Sequence, residues 1–161
     1  ETAAEIVRAL AEARDPLIYA GGGVLLAKAS EELQAFVDHL EIPVAHSLMG
    51  KGVLNDEHPF ILGMTGFWGT KLTNDQCLKA DWVLGLGTRF KEADCSSWYP
   101  DYTFNFPPSK LIHIDIDPSE IGRNLSIMRR KRSFRRNRAE GMSPWMERMK
   151  TCQRSSGISR L

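Results

Sequence analysis

The period of apolar and polar positions changes several times along the chain, and each change marks an element. Ile6, Val7, Leu10 and Ala13 recur at helical spacing behind Thr2 and Glu5, which fit a capping box, and Asp15-Pro16 ends the run. Residues 17–20 are an unbroken apolar run of strand length, closed by Gly21-Gly22-Gly23 with no helix starting directly after it. Leu33, Phe36, Val37 and Leu40 form the stripe of a second helix beginning near Ser30. Residues 43–46 read as the next strand, and 47–52 as a glycine-punctuated loop. Residues 53–68 read as loop because Pro59, Gly63 and Gly66 interrupt them. A weakly periodic helix covers about 69–80. Residues 82–86 form a third strand, closed by Gly87-Thr88-Arg89-Phe90. Residues 91–109, with three prolines, read as irregular, and 111–116 form a fourth strand. Pro118 stands where the first turn of a following helix belongs.

Strands that are apolar on both faces and alternate with helices predict an α/β fold: a Rossmann-like three-layer sandwich with a parallel sheet and right-handed crossovers. There is no internal repeat.

Charge divides the chain. The 161 residues carry a net charge of +1, but residues 1–124 hold 10 Lys/Arg against 18 Asp/Glu, and residues 125–161 hold 11 against 2. The expected organisation is therefore a domain over 1–124 and a basic, atypical tail over 125–161. The tail has few apolar residues, so poor ordering is expected of it. It also lacks interleaved aromatics and any recognisable module, which argues against a nucleic-acid partner. No apolar run is long enough to span a membrane, and the start of the chain has no signal pattern, so a cytoplasmic location is expected. Cys77, Cys95 and Cys152 have neither metal spacing nor the even count of a disulfide framework.

Candidate chemistry gathers where strands end, which in a parallel sheet is one rim. Gly21-Gly22-Gly23 lets backbone approach a phosphate, although a tight turn without ligand explains the same residues. Arg89 has the planar fork to clamp a phosphate, or to pair with a neighbouring carboxylate. Of Asp115 and Asp117, one suits a ribose or adenine amine and the other a cap at Pro118. The loop from Ser47 to Gly52 lacks the P-loop pattern. Gly63 to Thr70 is flexible backbone before a helix, with Phe67 and Trp68 equally suited to an interface. His46 at a strand end reads first as a hydrogen-bonded structural histidine. No catalytic triad or metal spacing is present.

Taken in order, Gly21-Gly22-Gly23, Ile42-Pro43-Val44, Leu48-Met49-Gly50-Lys51-Gly52, Leu62-Gly63-Met64, Ala80-Asp81-Trp82-Val83, Gly87-Thr88-Arg89-Phe90 and the stretch 112–124 form a series. The series resembles the central domain of thiamine-diphosphate-dependent enzymes of the acetolactate synthase group, which includes related carboligases, decarboxylases and acetyltransferases. The resemblance covers roughly residues 1–124. It implies a parent subunit of three α/β domains. In that parent the first domain supplies a glutamate that activates the cofactor, and the third supplies a Gly-Asp-Gly motif and an Asn that hold magnesium and the diphosphate. The expectation is then an excised or truncated middle domain that serves as scaffold. Alone it should neither bind thiamine diphosphate and Mg nor turn over. Its partners would be the missing N- and C-terminal domains and further copies in a homo-oligomer.

The resemblance also implies a small-molecule nucleotide site for FAD, for ADP as in some relatives, or for neither. Its contacts would fall on Gly22, Gly23, Ser47, Leu48, Met49, Gly63, Met64, Gly87, Arg89, Asp115 and Ile116. The chain departs from the flavin-binding pattern at Thr65, where those members have His. It departs again at Arg89-Phe90-Lys91-Glu92-Ala93, where they have Arg-Phe-Asp-Asp-Arg. After Asn124 the family's short strand and Ala-rich helix give way to Arg- and Ser-rich text, which suggests a frameshifted or aberrant end. Two alternatives stand beside the scaffold reading: an autonomous nucleotide-binding module, and an oligomerisation domain using Phe67, Trp68 and Trp98.

Overall fold

A computed structural model describes residues 3–96 and 101–125, together with the backbone of 129–130. The elements in chain order are α1 (Ala3–Ala11), β1 (Pro16–Ala20), α2 (Gly22–Leu26), α3 (Ser30–Leu40), β2 (Val44–His46), β3 (Ile61–Met64), α4 (Lys71–Lys79), β4 (Trp82–Leu86), α5 (Glu92–Cys95), β5 (Lys110–Ile114) and β6 (Arg129–Arg130). Short 3-10 turns follow β2 at Leu48–Gly50 and β3 at Gly66–Trp68.

Among the described residues, six strands pair in parallel, in the order β3-β2-β1-β4-β5-β6. The order reverses direction between β1 and β4, the switch point of a doubly wound sheet. The two-residue period of a strand sorts side chains into two cores. Val44, Ile18, Leu84 and Ile112 lie side by side in register and face one layer. Ile6 and Leu10 of α1, Val24 of α2, and Leu33 and Val37 of α3 cover them. Leu17, Tyr19, Val83 and Leu111 point the other way, against Cys77 of α4, Cys95 of α5, Phe90 and Phe104. This is the expected three-layer α/β sandwich.

Several elements differ from the pattern reading. A helix, α2, does begin directly at the triglycine turn. Close packing against the β4 tip selects those glycines, and helix propensity does not. Residues 61–64 pair as an edge strand although Gly63 sits at φ +103°. The register slips between Val44 and Ala45, and an edge tolerates such irregularity. No helix follows Pro118; the described chain turns there instead. Asp117 Oδ1 accepts from the Ser119 N–H (2.9 Å) and hydroxyl (2.7 Å), which closes an Asx turn in place of a helix cap. A four-residue helix, α5, interrupts the stretch read as irregular. Residues 129–130 of the basic tail add β6 to the sheet, opposite Ile112 and His113. Backbone pairing needs no apolar side chain, so composition did not announce it. Thr2, Trp98, Cys152 and the remainder of the tail lie outside the described residues.

Candidate functional site

Parallel pairing puts every strand's carboxyl end on one edge of the sheet. From β3 to β5, that edge carries Gly63 and Met64, then Ser47, Leu48 and Met49, then Gly22 and Gly23, then Gly87 and Arg89, then Asp115 and Ile116. Gly22, Arg89 and Asp115 thus follow three adjacent strands on the same side.

The tips pack against each other. A Cβ on Gly23 would lie 2.7 Å from Gly87 Cα, and one on Gly22 would lie 2.9 Å from the Met49 carbonyl. Gly87 itself is at φ +54°. The Gly21 N–H donates to the Leu86 carbonyl (2.9 Å), and the Gly23 N–H to the Gly87 carbonyl (3.0 Å). Two amides of the triglycine turn are therefore spent on the protein. At five residues, α2 is too short to gather much dipole at its start. The glycines close the gap between the β1 and β4 tips, which is the turn-without-ligand alternative for these two amides.

A second network joins the β2 and β3 tips. Thr65 Oγ1 lies 2.8 Å from the Asp94 carbonyl and 3.1 Å from the Tyr19 hydroxyl. With one proton to give, Thr65 donates to the carbonyl and the phenol donates to Thr65. Asp94 Oδ1 accepts from the Leu48 N–H at 3.4 Å. Burial raises the Asp94 carboxyl above its ordinary range, against the lowering effect of that bond. Burial likewise raises Tyr19 well above the usual phenol range. His46 is buried, with Nδ1 2.9 Å from the Ser47 carbonyl, as a structural histidine should be.

The β4 tip is held from beneath. In the row Ala45-Tyr19-Gly85-His113, Gly85 has no side chain, and the Phe90 ring fills the space. A Cβ on Gly85 would lie 2.8 Å from that ring. Phe90 adopts φ +46°, rare for an aromatic residue, and its ring lies 5.0 Å from Tyr19 and 5.2 Å from His113. His113 Nε2 donates to the Thr88 carbonyl (2.7 Å), and the Gly122 N–H donates to Nδ1 (3.4 Å). That pair of bonds needs the neutral ring. Burial agrees, lowering the His113 pKa from its ordinary value.

Arg89 emerges from this anchored tip, 60% exposed, with Nε 3.7 Å from Glu120 Oε1. The ion-pair alternative for Arg89 is therefore realised, with much of the guanidinium still facing solvent. Asp115 Oδ1 accepts from the Asp117 N–H (2.9 Å). Ile116, Leu48 and Met49 are 71%, 52% and 74% exposed, so the rim presents apolar side chains beside its polar ones. Pattern reading missed Phe90, His113 and Glu120 as supports of the rim. Gly85 inside a strand was the available signal, since such a glycine marks a close approach.

Among the described residues, no group of three or more His, Cys, Asp or Glu could hold a metal ion. The sequence contains no Gly-Asp-Gly. These residues do not fit a magnesium–diphosphate group. Among them also, no helix is long and apolar enough to cross a membrane.

Residues 3–130 match the family described as thiamine pyrophosphate enzyme, central domain. Over 174 aligned residues the chain is 36% identical to a probable acetolactate synthase large subunit of Methanococcus aeolicus, covering 93% of this chain and 28% of that protein. It is 43% identical over 116 residues to the probable acetolactate synthase large subunit of Methanocaldococcus jannaschii, covering 72% and 19%. It is 37% identical to the acetolactate synthase large subunit of Corynebacterium glutamicum, covering 74% and 18%. The chain thus spans less than a third of the length of these relatives.

Proposed function

The chain belongs to the family of thiamine pyrophosphate enzyme central domains, and from that premise we propose that it serves as the non-catalytic scaffold of an acetolactate synthase-like carboligase or decarboxylase. In this reading it carries an FAD- or ADP-type nucleotide site along its rim. Thiamine diphosphate and magnesium belong to the other domains of the parent, where the cofactor acts as electron sink for a 2-oxo acid. This chain's part is to position the rim and offer it to those domains.

The observation that carries the reading is the arrangement of the tips. Five adjacent parallel strands deliver polar groups, Arg89 and Asp115, and exposed apolar groups, Leu48, Met49 and Ile116, to one edge around a switch point. A nucleotide with a ring system and a charged linker matches that mixture.

FAD or ADP at a hundred times its dissociation constant is expected to stabilise the chain by about 2.7 kcal/mol, a clear rise in melting temperature. Absence of any shift with either ligand at millimolar concentration defeats the nucleotide part. Turnover of pyruvate by the purified chain with thiamine diphosphate and magnesium defeats the scaffold part.

Assembly is a second reading, favoured by Phe67 and Trp68. They are 75% and 59% exposed and pack edge-to-face at 5.0 Å. Light scattering that finds only monomer at high concentration removes self-association through that pair.

A further inference from the structure

At the opposite end of the sheet, where β1, β2 and β4 begin, the surface holds a cleft of about 180 Å3. Its floor is apolar, made by the half-buried Pro16 and Pro43 with the buried Leu17 and Ala80. Its walls are polar. Arg14 and Asp15, from the joint ahead of β1, hold each other, Nε to Oδ2 at 2.6 Å. Gln76 and Lys79 come from α4, three residues apart and so neighbours on the helix surface. Both are exposed. Among the described residues, no carboxylate pairs with Lys79 and no hydrogen bond engages the side-chain amide of Gln76. A lysine in a last turn also suits the carbonyl end of its helix. That alone does not account for an uncommitted amide one turn earlier, facing the same apolar floor.

The cleft is held open by backbone. The Ile18 N–H donates to the Pro43 carbonyl (2.9 Å), and the Asp81 N–H to the Asp15 carbonyl (3.1 Å). The Ser109 hydroxyl donates to the Ala80 carbonyl (2.6 Å).

We infer that this cleft binds a small monocarboxylate with an apolar body, a single ring or a short branched chain. The body rests on the two prolines, and the carboxylate accepts from Lys79 Nζ and the Gln76 amide. Size sets the class. Pockets for drug-sized ligands run to roughly 300–1,000 Å3, so this one excludes a dinucleotide and admits one ring. Charge sets the sign. Arg14 and Lys79 against Asp15 leave one positive charge in excess on the walls, and Asp15 is already occupied by Arg14. The site lies at the amino ends of the strands, away from the rim, and does not depend on the nucleotide reading.

The test is an NMR amide-shift titration of the 15N-labelled full chain with benzoate, benzamide and acetate at constant ionic strength. Benzoate should shift the amides of Asp15, Leu17, Gln76 and Ala80 and saturate in the millimolar range. Benzamide, which keeps the ring without the charge, and acetate, which keeps the charge without the ring, should each bind at least about tenfold more weakly. Lys79→Gln should weaken benzoate by about tenfold and Gln76→Ala by about threefold, with benzamide unchanged in the first. Both positions are exposed, and the comparison of the three probes on the unaltered chain stands even if a variant does not fold. Acetate as strong as benzoate would reduce the site to surface charge and overturn the inference. Benzamide as strong as benzoate, or benzoate indifferent to Lys79→Gln, overturns the carboxylate assignment, and no shift at tens of millimolar benzoate overturns the site. Each of these failures leaves the nucleotide reading of the rim untouched.

Discussion

A methyl group at position 23 has nowhere to go, because the space is taken by Gly87 backbone 2.7 Å away. Gly23→Ala should therefore cost about 1–3 kcal/mol with no ligand present, read from urea unfolding. If the glycine served only a ligand, the substitution would leave the apo midpoint where it was. His113 makes a second residue-scale prediction. Burial holds its folded pKa below the ordinary 6.5, so the unfolded chain takes up a proton first. Its contribution is complete above pH 6.5 and is lost as the pH falls below that value. The urea midpoint should drop between pH 7.5 and 5.5, and His113→Gln should flatten that segment. Asp94, whose carboxyl burial raises, works in the opposite sense lower on the scale. At this scale little was legible. The glycines were visible as turns, but the ring over Gly85 depends on the positive φ of Phe90, and the tautomer of His113 depends on backbone groups of Thr88 and Gly122 that only the fold brings to it.

Among elements, the joint between β1 and β4 deserves a direct measurement. Asp81 accepts from the Arg14 N–H (Oδ2) and the Asp15 N–H (Oδ1), both at 3.0 Å. It thereby fastens the amino ends of the two central strands. Burial resists its charge, but backbone N–H groups from Arg14, Asp15, Asp81 and Trp82 outweigh burial and lower its pKa. Asp81→Ala should cost about 1–2 kcal/mol near neutrality, by chemical denaturation. The difference from wild type should vanish as the pH falls below the ordinary carboxyl value of 3.8, where the unfolded chain binds the extra proton. Strands β1, β2, β4 and β5 and helices α1, α3 and α4 were readable because local period and burial agree there. Strand β3 was not, since its pairing with β2 overrides the breakers Pro59 and Gly63. Nor was β6, whose two residues are arginines joined to the sheet through backbone alone.

For the whole molecule, the free thiols of Cys77 and Cys95 report global opening. Burial pushes Cys77 up to about 12 and raises Cys95 as well, so neither is a thiolate near neutral pH. Iodoacetamide at pH 8 should leave both unmodified in the native chain and alkylate both in urea, as read by peptide mass mapping. Labelling of either at the native rate of a free thiol would show that the α4–α5 face opens by itself. The rim as a whole was legible, because the rule that ligands meet the carboxyl ends of parallel strands needs only strand order. Which groups on the rim are free was not legible, since that depends on backbone bonds such as those of Gly21 and Gly23.

Uniform strand direction gives this layer a polarity, with its clasps at one margin and its open rim at the other. Asp81 and the helix-to-strand joints sit at the first, and Arg89 and the exposed side chains of the rim at the second. Changes at the two margins should therefore be felt separately: a lineage can retune what the open margin greets while the clasped margin goes on securing the sheet.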